Sequence, residues 1–156
     1  MEEDKKKTLA KNSAYRLLRV RPRSEAELRG RLKEKGYDGV TIDGAVEDLR
    51  TKGYVDDEKF ARFWVESRMH LNPVGDVVLK HELRRKGISD AVIDAALETK
   101  AKAYNEYEIA LSMARDRFER LKKLDRRKAT KRLYDFMLRR GFAYETVRRV
   151  IEELAK

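Results

Sequence analysis

The chain has 156 residues, of which 41% are apolar and 42% are charged, and its formal net charge at pH 7 is +10. It contains no cysteine, which excludes disulfide frameworks and thiolate metal sites. No run of about 20 apolar residues occurs and the first residues are charged, so we expect a cytoplasmic protein with neither a secretion signal nor a membrane span.

Four helices are predicted from the way they end. At each end a basic residue, a glycine and a large apolar residue follow one another, and a further apolar residue lies four positions before the glycine. This order is typical of the Schellman motif, in which the glycine is left-handed and the next residue packs back onto the helix. The four glycines are Gly36, Gly53, Gly87 and Gly141.

The other helix boundaries can be placed in chain order. A first helix is predicted over residues 8–20, because Pro22 disfavours a helical residue before it. Ser24 and Glu27 have the spacing of a capping box for the next helix. A second long helix is predicted to begin at Asp56 or Asp57, with the acidic residue as its N-cap. It should end before residues 72–75, where Asn-Pro-Val-Gly predicts a turn.

A third long helix is predicted to begin near Asn105, which is spaced to form a cap pair with Glu108, and to end near residues 124–125. No alternating run of β-branched residues predicts a strand. The elements therefore predict an all-α protein of about nine helices.

Three of the four glycines belong to a longer repeat. Counted from Gly36, Gly87 and Gly141, apolar residues recur eight and four positions before the glycine and one, six and ten positions after it. The copies are 51 and 54 residues apart (87 − 36 and 141 − 87). This pattern predicts three tandem three-helix, helix-turn-helix-like repeats over residues 1–54, 55–104 and 105–156. We expect them to form an elongated body, straight or curved.

Positive charge is concentrated in the third repeat, where residues 115–149 include 14 basic and 5 acidic residues. Such clustering indicates a polyanion or an acidic protein surface as partner, although a solvated helix face is the alternative. The candidate binding residues comprise a C-terminal and an N-terminal group. They are Arg126, Arg127, Lys128, Lys131, Arg132, Arg139, Arg140, Arg148 and Arg149, and Arg16, Arg19, Arg21 and Arg23.

No catalytic motif is present in the sequence. The two histidines, His70 and His81, lie in different predicted helices, the first near a helix end and the second on the surface. Phosphate-cradling loops, nucleophile elbows and metalloprotease helices are absent. A nuclease would use Asp56 and Asp57 as metal ligands, but helix capping accounts for that pair better. We therefore expect no enzymatic activity, no cofactor and no metal.

The ordered motifs together resemble the RecX family of bacterial RecA regulators, over about residues 14–154. The most specific segments are Arg23-Ser24-Glu25 with Glu27-Leu28, Gly53-Tyr54-Val55-Asp56-Asp57 with Phe60-Ala61, Glu82-Leu83 with Lys86-Gly87-Ile88, and Arg139-Arg140-Gly141-Phe142. The resemblance implies a non-enzymatic protein that binds along the RecA–DNA filament. It also implies modulation, usually inhibition, of the ATPase, strand-exchange and coprotease activities of RecA.

One segment departs from the family pattern. After Gly75 the family often carries basic residues, whereas this chain has Asp76, Val77 and Val78, and we expect the two valines to pack against a neighbouring helix. We expect a monomer that binds the RecA filament and single- or double-stranded DNA without sequence preference. The main alternative is a helix-turn-helix DNA-binding protein without a recombinase partner.

Overall fold

The computed structural model describes residues 1–156 and contains nine α-helices and no strand. This confirms the all-α prediction and the number of helices. The helices are α1 (Glu2–Val20), α2 (Glu25–Glu34), α3 (Gly39–Thr51), α4 (Asp57–Leu71), α5 (Asp76–Arg85), α6 (Asp90–Ala103), α7 (Glu106–Arg120), α8 (Arg126–Arg139) and α9 (Tyr144–Leu154). No helix combines the length and the apolar character that crossing a bilayer requires.

The four predicted helix ends have Schellman geometry. The glycines have φ values of 94°, 80°, 79° and 84° in chain order, and they are the only residues with positive φ. In each motif the apolar residue after the glycine donates its amide hydrogen to the carbonyl five residues earlier, as Ile88 does to Leu83 at 3.1 Å. Glycine is needed at these positions because a side chain disfavours the left-handed region.

The predicted caps at Ser24, Asp56 and Asn105 are confirmed. Each side-chain oxygen accepts the amide hydrogen of the residue three positions later, at 3.1 Å in all three cases. The prediction for α1 was wrong by six residues, because this helix begins at Glu2 rather than residue 8. Its first turn contains Glu2, Glu3 and Asp4, whose negative charges stabilise the positive end of the helix dipole.

The chain divides into two compact units. The first unit comprises Met1–Trp64 and Leu83–Ile93, and the second comprises Val65–Glu82 and Asp94–Lys156. Helices α1 to α3 supply a buried cluster in the first unit, and helices α7 to α9 supply one in the second. Each unit thus contains one complete terminal repeat, while the middle repeat contributes residues to both.

Within the first unit, the end of α5 lies against the beginning of α2. The Ser24 hydroxyl, which is completely buried, donates a hydrogen bond of 2.6 Å to the carbonyl of Lys86. A Cβ atom added to Gly87 would lie 2.4 Å from the Cβ of Ala26. The Glu27 carboxylate forms ion pairs with Lys86 at 3.2 Å and with Arg21 at 2.6 Å. It does not accept the amide hydrogen of Ser24, as the predicted capping box would require.

The second unit contains the same kind of contact between the end of α8 and the beginning of α5. The amide of Gly75 donates to the Arg140 carbonyl at 2.7 Å, and the amide of Val77 donates to the Gly141 carbonyl at 3.3 Å. A Cβ on Gly141 would lie 2.7 Å from the Cγ2 of Val78. The expected packing of Val78 is therefore correct, but that of Val77 is wrong, because its side chain is 66% exposed.

Candidate nucleic-acid interface

Helix α8 presents one apolar and one basic face. Asp125 caps its beginning by accepting the amide hydrogen of Arg127. Ala129, Leu133 and Met137 follow at intervals of four residues and are all buried in the core of the second unit. Because 3.6 residues complete a helical turn, the basic side chains between them are directed away from this core.

Five cations of α8 are exposed and have no ion-pair partner within the chain. We call these residues the α8 basic stripe, which consists of Arg127, Lys128, Lys131, Arg132 and Arg139. The helix contains a single carboxylate, Asp135, and that side chain is half-buried and forms no ion pair. The stripe extends over about 18 Å of helix, or about five nucleotides at 3.4 Å per nucleotide.

The start of α8 carries charge of the sign that its dipole disfavours. Arg126, Arg127 and Lys128 occupy the first turn, which contains no acidic residue. The amino end of a helix is electropositive, so each cation there costs about 0.3–1 kcal/mol at low ionic strength. A cluster that lowers local stability in this way is the kind of feature expected at a binding surface.

The remaining candidates of the C-terminal group are engaged within the chain. The Arg126 guanidinium donates to the carbonyl of Ala155. Arg148 forms ion pairs with Glu145 at 3.3 Å and Glu152 at 3.9 Å. The guanidinium carbon of Arg149 lies 4.3 Å from the centre of the Tyr107 ring. All three side chains are nevertheless exposed.

Arg140 is half-buried and has a structural role in the second unit. Its guanidinium donates to Asn72 and, at 3.0 Å, to the carbonyl of Pro73, and it lies 5.9 Å from the Phe136 ring. Burial and the nearby positive charge of Arg68 lower the pKa of Arg140. These contacts hold the Arg140 guanidinium within the second unit.

The N-terminal group lies in the first unit. Like the C-terminal group, it contains both arginines without an ion-pair partner and arginines that are engaged within the chain. Arg16 and Arg19 are exposed on α1 and have no ion-pair partner. Arg21 pairs with Glu27. Arg23 is half-buried and donates to the carbonyl of Leu17 at 3.3 Å, and burial followed by repulsion from Arg21 lowers its pKa.

The carboxylates of the acidic pair at the start of α4 accept backbone amide hydrogens. Asp56 caps α4, whereas Asp57 accepts the amide hydrogen of Glu25 at 2.9 Å. Burial and the neighbouring Asp56 carboxylate raise the pKa of Asp57. No group of three or more His, Cys, Asp and Glu side chains is arranged to hold a metal ion. His70 lies at the end of α4 and His81 is exposed, as predicted.

A cleft that the sequence does not reveal lies beside the α8 basic stripe. It has a volume of about 630 Å³ and is lined by Asp125, Arg126, Arg127, Thr130, Lys131, Tyr134 and Ile151. Tyr134 follows the buried Leu133 and could have been assigned to the edge of the core from its position. The pairing of Tyr134 with Ile151 of α9 depends on how the two helices pack, which no local sequence signal reveals.

Comparison with known families places all three repeats in one family. The models of the first, second and third three-helix domains of RecX match residues 10–49, 56–97 and 104–151, respectively. The three models match the chain in the order of the domains in the family.

Whole-chain comparisons agree with the domain matches. The chain is 34% identical to the regulatory protein RecX of Prosthecochloris aestuarii over 98% of its own length and 97% of that protein. It is 36% identical to the regulatory protein RecX of Amycolatopsis mediterranei, over 92% and 82% of the two chains. The crystal structure of RecX from Lactobacillus salivarius superposes with a TM-score of 0.85 at 22% identity, over 97% and 98% of the two chains, and so shows the same fold. The chain therefore belongs to the RecX family of regulatory proteins.

Proposed function

We propose that this protein is a non-enzymatic regulator that binds RecA–DNA filaments and inhibits the recombinase. The family supports regulation as the general role. The α8 basic stripe supports direct contact with DNA, because five exposed cations on one helix have no partner within the chain. This stripe is the single observation on which the DNA contact depends.

Phosphates are the partners that these five cations best fit. Ion pairs of lysine and arginine with DNA phosphates do not depend on the base sequence. The affinity that they provide falls as the salt concentration rises. Helix α8 contains neither asparagine nor glutamine, the side chains that read adenine in a major groove. A sequence-specific helix-turn-helix protein would therefore have to read guanine through the arginines and lysines of this helix.

Regulation does not require contact with the nucleotide bound by the recombinase. A ligand shifts an equilibrium between two filament states only by the difference in its affinities for them. Three tandem repeats on one chain also allow several weak contacts to act together, since each contact raises the effective concentration of the next. We propose that the stripe supplies the DNA contact and that other surfaces supply contacts to the recombinase.

The test is a DNA-dependent ATPase assay of the cognate recombinase with increasing amounts of this protein. The informative variant combines Arg127→Gln, Lys131→Gln and Arg132→Gln. The matched control combines Lys33→Gln, Arg62→Gln and Arg85→Gln, which removes three exposed cations from the first unit. Both variants lower the formal net charge from +10 to +7.

We expect the stripe variant to require at least about tenfold more protein for half-maximal inhibition, and the control to stay within about twofold. In direct binding to single-stranded DNA, loss of three phosphate contacts should reduce the slope of log K against log salt by about 2, at about 0.7 per contact. Equal behaviour of the two variants would contradict the assignment. Tight DNA binding without any effect on the ATPase would instead favour the DNA-binding alternative.

A further inference from the structure

The cleft beside the α8 basic stripe combines an apolar wall with a cationic rim. Tyr134 and Ile151 form the wall, and Arg127 and Lys131, both members of the stripe, line the same cleft. Asp125 also lines it, and its carboxylate accepts the Arg127 amide hydrogen as the cap of α8. Neither Arg127 nor Lys131 forms an ion pair within the chain, so both side chains are available to an outside partner.

Tyr134 packs against the edge of the core of the second unit and also has features of a contact residue. Its ring is only partly buried, and its hydroxyl forms no hydrogen bond within the chain. The centres of the Tyr144 and Tyr134 rings lie 6.4 Å apart at an interplanar angle of 85°, a T-shaped arrangement. Tyr144 is itself 58% exposed. Tyr134 thus lies beside residues of the stripe, and a second, exposed aromatic ring lies next to Tyr134.

We propose that this cleft receives an unpaired base of single-stranded DNA, which packs against Tyr134 while Arg127 and Lys131 contact the flanking phosphates. A positively charged groove with aromatic side chains is the usual arrangement for binding single strands without sequence preference. In a duplex the bases are already stacked and paired, so their faces are not available to the ring. The inference rests on the proposed function, because it requires that the stripe contact DNA.

The experiment separates base contact from phosphate contact by using two DNA strands of equal length and charge. One is a fluorescently labelled 15-nucleotide oligothymidine, and the other replaces its central five nucleotides with abasic residues. Binding by the full chain is measured by fluorescence anisotropy. The variants are Tyr134→Ala, Tyr134→Phe and Phe63→Ala. Phe63 is a matched control because it is a 46% exposed aromatic residue on a helix of the first unit.

We expect Tyr134→Ala to lose roughly 5- to 150-fold in affinity for the base-bearing strand, the range observed for removal of one stacking side chain. Its affinity for the abasic strand should change by less than about twofold. Tyr134→Phe should retain the preference for bases because the ring is kept, and Phe63→Ala should bind both strands like the unmodified protein. Thermal unfolding followed by circular dichroism verifies the fold of each variant.

Several outcomes would overturn the inference. Equal losses on the two strands would show that Tyr134 acts only through the shape of the surface. Unchanged DNA binding together with weakened ATPase inhibition would assign the cleft to a protein segment. If Tyr134→Ala does not fold, Tyr134→Leu keeps an apolar side chain without a flat ring and should lose the base preference, while its retention would refute stacking. The proposed function fails separately, when the triple glutamine variant of the stripe binds both strands normally.

Discussion

At the scale of single residues, Gly75 matters because of the backbone that lies beside it. Gly75 does not have positive φ, yet a Cβ there would lie 2.1 Å from the carbonyl oxygen of Gly141 and 2.4 Å from the amide nitrogen of Phe142. Both atoms belong to the backbone, so they cannot move aside as a flexible side chain could. The requirement for glycine at this position is therefore tertiary in origin and not conformational.

We predict that Gly75→Ala lowers the free energy of unfolding by at least about 2 kcal/mol. The added methyl group forces the end of α8 away, at an overpacking cost of about 1–3 kcal/mol, and weakens the two backbone hydrogen bonds found there. The measurement is a urea titration followed by circular dichroism at 222 nm.

Gly30→Ala serves as the control for this substitution. Gly30 lies inside α2, and a Cβ there would meet no atom within 4 Å. The higher helix propensity of alanine should raise the free energy of unfolding by about 0.5–1 kcal/mol. If the two variants unfolded at the same urea concentration, the close approach of Gly75 and Gly141 would be refuted.

At the scale of helices, the N-caps differ in what they hold together. Asn105 forms only the local hydrogen bond to Glu108 and is exposed. Ser24 forms the equivalent bond to Glu27 and in addition donates to the carbonyl of Lys86, 62 positions later. One hydroxyl thus begins α2 and also joins it to the end of α5.

Removal of these two caps should have unequal effects. Asn105→Ala should cost about 1 kcal/mol, the typical value for a lost N-cap. Ser24→Ala should cost about 2–3 kcal/mol, because a second, buried hydrogen bond is lost as well. Denaturant titrations of the two variants provide the comparison. Equal costs would mean that the bond to Lys86 adds no stability.

At the scale of the whole molecule, the repeats and the compact units do not coincide. The sequence repeats predict a boundary near residue 54 and another near residue 104. In contrast, the contacts assign Val65–Glu82 to one unit and Leu83–Ile93 to the other. The middle repeat is consequently divided, and its residues contribute to two compact units rather than to one of their own.

Amide hydrogen exchange should follow the units rather than the repeats. Because Gly75 lies in the second unit, Gly75→Ala should reduce protection in residues 65–82 and 94–156 under mildly denaturing conditions. Protection of residues 1–64 and 83–93 should be retained. Mass spectrometry of peptides from either side of residue 82 measures the difference. Uniform loss over residues 55–104 would show that the middle repeat opens as one body.

Several features follow from the sequence because their causes are local. A left-handed glycine after a basic residue ends a helix whatever surrounds it, so Gly36, Gly53, Gly87 and Gly141 could be assigned directly. Caps such as Asp56 also depend on residues at most three positions apart. The recurrence of these signals was sufficient to predict about nine helices in three repeats. The order of the motifs was sufficient to recognise the resemblance to the RecX family.

Other features were decided only by the tertiary structure, since their causes lie between residues distant in the chain. Charge clustering alone grouped Arg140 with Arg139, but packing half-buries Arg140 against Asn72 while Arg139 stays exposed. The cleft at Tyr134 and the contact of Gly75 with the end of α8 likewise arise from helices meeting. A local sequence pattern specifies which residues a helix can present, whereas the packing of helices decides which of them remain accessible.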